Sequence, residues 1–281
     1  MREHHVRCLS GTGFYRMAYT EWGPPGAERT IVCAHGLTRN GRDFDDLAGS
    51  LAAAGARVVC PDVVGRGRSD WLADPAGYGY PRYMSDMAVL LGRLDRERVD
   101  WIGTSMGGLL GMMLAAQANS PIRRLVVNDV GPFIPKAALE RIAAYLETRR
   151  RFADLAEAEA HYRRVYEPFG DLSDAQWRHL TETSVRPAEG GGLTPLYDPG
   201  IAQAFAARPR EDVDLWPVWD AIGCPTLVLR GADSDLLLAD TAAEMGQRGP
   251  RAEVVEIPGC GHAPALMDEG QIDAVGAWLA G

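Results

Sequence analysis

Residues 99–113 constrain the folding of this chain more than any other stretch: Val-Asp-Trp-Ile-Gly-Thr-Ser-Met-Gly-Gly-Leu-Leu-Gly-Met-Met. An apolar strand (Val99, Trp101, Ile102) runs into a turn of small residues and then into an apolar helix. The turn, Gly103-Thr104-Ser105-Met106-Gly107, is a complete G-x-S-x-G. A serine at the tip of so sharp a strand-to-helix turn holds a strained backbone, and side chains two residues to either side would collide. Glycine at 103 and 107 removes that collision and lets the helix pack close to the strand. The turn exposes the Ser105 hydroxyl and aims the first helical N–H groups, Met106 foremost, at the space beside it. Those donors and the positive helix end favour an oxyanion. A catalytic reading then requires a base, an acid and a second oxyanion donor elsewhere in the chain; a plain glycine-rich turn requires none of them.

Strands and helices alternate around this stretch. Residues 6–9 and 14–22 form a hairpin through Ser-Gly-Thr-Gly, and 30–34, 56–60, 122–130, 225–230 and 251–257 read as further strands. The central ones are continuous apolar runs, as in a parallel sheet covered on both faces. Residues 44–54, 83–94 and 271–279 read as helices. The fold class is therefore α/β, with a mostly parallel central sheet of about eight strands and helices on both faces. Residues 133–214 break the rhythm. They show no convincing strand, only helical patterns at 137–152, 155–166, 173–184 and 199–207, with a Gly190-Gly191-Gly192 loop. Ser173 and Gln176 make a capping box for the third of these. The domain reading is a core of 1–132 and 215–281 with a helical lid, 133–214, inserted between strands six and seven. A partner-binding module is the alternative use of such an insertion.

In a sheet of this kind function sits at the carboxyl ends of the strands. The loop after residues 30–34 is His35-Gly36-Leu37-Thr38-Arg39-Asn40. The backbone N–H of Leu37 is the candidate second oxyanion donor, Gly36 allows close approach of the backbone, and His35 braces the loop. His35, Gly36 and Trp177 are the substrate-contact candidates, with Phe169, Tyr145, Tyr162 and Tyr166 either lining an apolar pocket or packing the lid. The loop Asp62-x-x-Gly65-x-Gly67-x-Ser69 lacks the Gly-Lys-Ser/Thr of a P-loop and reads as a structural turn, with Asp62 and Ser69 bonding the backbone locally. His262, between Gly261 and Ala263-Pro264 after the last strand, is the candidate base. The acid belongs in the preceding loop, Arg230-Gly-Ala-Asp233-Ser-Asp235-Leu-Leu. Asp235 is preferred because Leu236-Leu237-Leu238 would draw it inward; Asp233 is the alternative.

Composition narrows the remaining classes. A net charge of −9 argues against a nucleic-acid partner, and the one basic run, Arg149-Arg150-Arg151, falls in a helical pattern as a solvated face. Five scattered cysteines without a C-x-x-C pair suit free thiols in a reducing compartment, not a disulfide framework or a zinc site. No signal-like apolar run opens the chain and no apolar stretch of about 18 residues occurs, so a cytoplasmic, non-membrane protein is expected. The adjacent His4 and His5 near the terminus read as solvent-exposed. No metal and no cofactor is implied.

The order Ser105, then Asp235, then His262 is that of the α/β-hydrolases. The chain resembles a lid-bearing, single-domain enzyme of that fold over nearly its whole length. The resemblance rests on His35-Gly36, Asp62-x-x-Gly65-x-Gly67-x-Ser69, Gly103-Thr-Ser-Met-Gly107, the Asp233/Asp235 loop and Gly261-His262. The family usually places its acid three residues after the glycine of the acid loop, a position that holds Ser234 here. Some members take the acid from the end of the preceding strand, which makes Asp129 a further candidate. Serine rather than aspartate at 105 argues against the epoxide hydrolases and haloalkane dehalogenases of the family. The resemblance implies a serine hydrolase that cleaves a small-molecule ester or lactone through an acyl-enzyme on Ser105. Alternatives on the same residues are a C–C bond hydrolase, a thioesterase, or a small-molecule receptor with vestigial hydrolysis. Oligomeric state is left open.

Overall fold

The computed structural model describes residues 1–146, 150–208 and 210–281. The core opens with β1 (Arg2–Ser10), β2 (Gly13–Trp22), β3 (Thr30–Ala34), α1 (Asp45–Ala53), β4 (Arg57–Pro61), α2 (Tyr80–Leu94), β5 (Val99–Thr104), α3 (Met106–Ala115) and β6 (Ile122–Asn128). The insertion follows as β7 (Phe133–Ile134), α4 (Lys136–Leu146), α5 (Leu155–Val165), α6 (Asp174–Glu182), β8 (Val185–Pro187), β9 (Leu193–Pro195), α7 (Gly200–Ala206) and β10 (Val213–Asp214). The core then resumes with α8 (Trp216–Asp220), β11 (Thr226–Gly231), α9 (Ala239–Met245), β12 (Glu253–Ile257) and α10 (Glu269–Ala280).

Eight strands form one sheet in the order β1-β2-β4-β3-β5-β6-β11-β12. β1 and β2 pair antiparallel, as do β2 and β4, and every later pair is parallel. The apolar runs of the central strands have a direct cause: both faces are covered. In β3, Ile31 and Cys33 pack with α1 and α10, while Val32 and Ala34 face the other core, with α2 and α3. The period-two alternation persists although nothing on the strand is exposed. From β3 the chain crosses through α1 to β4 on one side, then returns through α2 to β5 on the other. The reversal opens a crevice at the carboxyl ends of β3 and β5, where the Leu37 loop and Ser105 lie.

The sequence expectation of no strand within 133–214 does not hold. β7 pairs with β10 (Ile134 with Val213, Phe133 with Asp214), so the chain leaves and re-enters the core through one short antiparallel neck. β8 and β9 form a hairpin whose turn contains Gly190, Gly191 and Gly192. The helix read at 137–152 is described only to Leu146, residues 147–149 lying outside the described residues, and Phe152 pairs through its backbone with Leu193 (2.9 and 2.8 Å). Arg149 likewise lies outside the described residues, while Arg150 and Arg151 are exposed and belong to no helix. The capping box at Ser173 and Gln176 is present. His4 and His5 are exposed, and all five cysteines are free thiols. Among the described residues no helix is long and apolar enough to cross a membrane.

Candidate active site

The turn after β5 carries the strain its sequence implies. Ser105 has φ 52° and ψ −114°, a conformation L side chains rarely adopt. The two glycines make it possible. A Cβ on Gly103 would overlap the Gly107 carbonyl, and one on Gly107 would overlap the Ala34 carbonyl of β3. The turn is fastened from both sides: Ser105 N donates to Asn128 O (3.0 Å), and Trp101 Nε1 donates to Gly107 O (2.9 Å).

The loop after β12 brings His262 to this hydroxyl. Its Nε2 lies 3.0 Å from Ser105 Oγ, and its Nδ1 lies 2.7 Å from Asp129 Oδ2. A carboxylate accepts, so Nδ1 bears the proton and Nε2 is left to accept from the serine. Asn128 steadies the arrangement by donating from Nδ2 to Thr104 Oγ1 (3.0 Å) and Pro264 O (2.8 Å), tying the ends of β5 and β6 to the histidine loop. A hydroxyl, an imidazole and a carboxylate in this sequence of bonds can move a proton off the hydroxyl and hold the resulting imidazolium.

The carboxylate on His262 is thus Asp129, at the end of β6, and the preference for Asp235 is corrected. Asp235 is exposed and paired with Arg141 (2.5 and 2.8 Å), and Asp233 is exposed as well. Asp129 is wholly buried, with φ 53°. Besides the ring it accepts from Gly231 N at Oδ1 (2.8 Å) and from Ser234 Oγ at Oδ2 (2.6 Å). Ser234 occupies the position where the resembled family usually carries its acid; here it donates to the carboxylate instead.

Leu37, Ser105 and Met106 together line a cavity of about 310 Å³. Its walls are mostly apolar, drawn largely from α2, α3, α4 and α7, with Arg208 and Arg210 beyond α7 also in the lining. A smaller recess of about 90 Å³ meets Ser105 and His262 from another side, lined by Gly36, Arg39, Arg141, Tyr145, Tyr166 and Phe169 among others. Gly36 therefore stands where the sequence puts it, but His35 and Trp177 do not. His35 is buried with both ring nitrogens engaged, Nδ1 donating to Gly36 O (2.7 Å) and Nε2 accepting from Val63 N (2.9 Å). Burial pushes its pKa down to about 3, so the ring is a neutral brace. Trp177 packs with Leu172, Leu180 and Met267, and Tyr162 with Phe152 and Ala158. Asp62 and Ser69 bond backbone as predicted and reach farther than expected, to Gly41 N (2.8 Å) and from Ala18 N (2.8 Å).

Sequence reasoning missed Arg66. It is fully buried and donates from Nε to Leu37 O (2.8 Å) and from Nη1 to Val64 O (2.8 Å) and Tyr83 Oη (2.9 Å). Its Nη2 is 3.6 Å from Met106 Sδ, and the guanidinium stands over the Tyr83 ring. Among the described residues no carboxylate pairs with it. A buried cation fastened to the Leu37 peptide and touching Met106 makes the local potential positive, which favours negative charge beside Ser105. The available signal was an arginine set between two glycines, Gly65 and Gly67.

Comparison with known proteins agrees with this architecture. Residues 31–274 match the model of the alpha/beta hydrolase family. A 3-hydroxybutyrate-oligomer hydrolase of Cupriavidus necator is 50% identical over 275 residues, covering 95% of this chain and 94% of the relative. A crystal structure of a Rickettsia typhi protein superposes with TM-score 0.94 at 34% identity, covering 100% of this chain and 99% of the other. An α/β-hydrolase from Novosphingobium aromaticivorans superposes with TM-score 0.87 at 38% identity, over 99% and 98% of the two chains. With sheet order, strained serine turn and family match in accord, this chain is a member of the alpha/beta hydrolase family.

Proposed function

We propose that the chain hydrolyses carboxylic esters through an acyl-enzyme on Ser105, with short esters of hydroxy acids as its substrates. The observation that carries this reading is the continuous set of bonds from Ser105 Oγ through His262 to buried Asp129. Substrate class rests on the relative at 50% identity, a hydrolase of 3-hydroxybutyrate oligomers.

His262 Nε2 takes the Ser105 proton as Oγ attacks the ester carbonyl. The backbone N–H groups of Leu37 and Met106 receive the oxyanion, aided by the positive end of α3 and by Arg66. Collapse breaks the ester C–O bond, and the alcohol leaves with the proton from His262. A water molecule then gives its proton to His262 and attacks the acyl carbon, releasing the acid and restoring the serine. Asp129 keeps the imidazole in the required tautomer and stabilises its charged form. Residues 133–214 act as the lid: Ile134, Ile142, Ile201 and Phe205 roof the larger cavity and keep bulk water from the reacting carbon.

The test is turnover of a linear 3-hydroxybutyrate trimer and of a p-nitrophenyl ester, with Ser105→Ala as control. The variant is expected to lose on the order of 10⁶ in kcat while retaining its fold. Undiminished turnover in Ser105→Ala would refute the acyl-enzyme. A single slow turnover with large thermal stabilisation would favour a receptor.

A further inference from the structure

The two spaces that meet at Ser105 differ in the charged groups that line them. In the smaller recess each arginine has its counter-ion. Arg39 is held by Asp43 (2.8 and 2.5 Å) and also donates to Ser184 (2.7 Å), and Arg141 is held by Asp235. Among the described residues the larger cavity has no acidic lining residue, and its charged lining residues are Arg208 and Arg210, just beyond α7. The Arg208 side chain is exposed, and its guanidinium is held in place. Its Nη2 donates to Tyr78 O (3.0 Å) and its guanidinium stands 5.9 Å from the Tyr80 ring centre, and among the described residues no carboxylate pairs with it. A guanidinium anchored by a carbonyl and a ring, with N–H groups left over, is preorganised for a planar anion. The cavity thus has a hydroxyl, largely apolar walls and an exposed Arg208 guanidinium for which no carboxylate partner occurs among the described residues.

We propose that this cavity binds the part of the ester that ends in a free carboxylate, and that Arg208 recognises that carboxylate. The proposal rests on the ester-hydrolase reading and sharpens it to anionic oligoesters attacked from one end. In a linear oligoester of a hydroxy acid, the free carboxylate always lies on the alcohol side of every ester bond. A substrate anchored at Arg208 therefore places its leaving alcohol in the larger cavity and its acyl part toward the smaller recess. The ester C–O bond breaks, the terminal hydroxy acid departs carrying the proton from His262, and the remainder stays on Ser105 until water releases it. The chain is shortened from its carboxyl end.

The experiment compares kcat/KM for a 3-hydroxybutyrate trimer as the free acid and as its methyl ester, in the unaltered protein, Arg208→Gln and Arg208→Lys. The free acid is expected to be preferred about tenfold or more, mainly through KM, with the preference shrinking at high salt. Arg208→Gln should bring the ratio close to one. Arg208→Lys, which keeps the charge without the fork, should give an intermediate ratio. A ratio near one in the unaltered protein, or equal losses on both substrates in Arg208→Gln, would overturn the proposal. If neither trimer is cleaved, the ester-hydrolase reading itself falls, a result distinct from cleavage without preference.

Discussion

Asp129 accepts three hydrogen bonds, and each comes from a different element or loop. Gly231 belongs to β11, Ser234 to the loop after it, and His262 to the loop after β12. Replacing the acid by its amide keeps the shape but allows the wrong imidazole tautomer. Asp129→Asn is expected to lose about 10⁴ in kcat, while Asp235→Asn stays within a few-fold, as steady-state rates on a p-nitrophenyl ester would reveal. The reverse order would restore Asp235. Ser105 and His262 were legible because the first sits in a turn whose sequence is dictated by steric need, and the second follows the last strand. The acid was not, because burial was inferred from neighbours in the chain. Along the loop Ser234 and Leu236 face inward while Asp235 between them faces solvent, so the leucines that were to draw it in leave it outside. Arg208 is not legible in the sequence for a related reason: the cavity wall it joins is assembled from distant residues.

At the scale of elements, the approach of α3 to β3 depends on the absence of a single carbon atom at 107. Gly107→Ala would force the Ala34 carbonyl away and part the helix from the strand, at a cost of about 3 kcal/mol or more. Gly276 in α10 has open space where its Cβ would go, so Gly276→Ala should stabilise by up to about 1 kcal/mol. Urea midpoints of the two variants, moving in opposite directions, check both. The core strands were readable because each is a run of apolar residues between turn signals. Residues 133–214 show no strand pattern in sequence because strands of two or three residues contain too little sequence to show a period. Nothing local to Phe133–Ile134 announces a partner at Val213–Asp214; that pairing exists only once the intervening chain has folded back.

For the molecule as a whole, stability should carry the mark of Asp86. It is fully buried on α2 and accepts from Tyr15 Oη (2.5 Å), and among the described residues its Oδ2 has no hydrogen-bond partner. Burial raises its pKa to about 6, offset in part by the bond from Tyr15 and by the charge of Arg82. A carboxyl whose folded pKa is raised holds its proton more tightly in the folded chain than in the unfolded one. Its contribution is therefore lost as pH climbs from near 3.8 to about 6, amounting to about 3 kcal/mol above that window. Asp86→Asn should gain stability relative to the unaltered protein over that interval, as chemical denaturation at pH 4 and pH 7 would show; a constant difference would contradict the assignment.

The insertion is sewn to the core along several seams. Gly261 N donates to Pro168 O (2.8 Å), Asn40 Nδ2 to Thr183 O (2.8 Å), Gly67 N to Leu196 O (3.1 Å) and Asp198 N to Gly65 O (2.8 Å). Swinging it aside as a rigid door would rupture all of these at once, including those on the very loop that presents Arg66. If Ser105 is the reacting group, passage to it is expected to run through rotations of individual rings and aliphatic chains at the margins, in a standing vestibule rather than through closure.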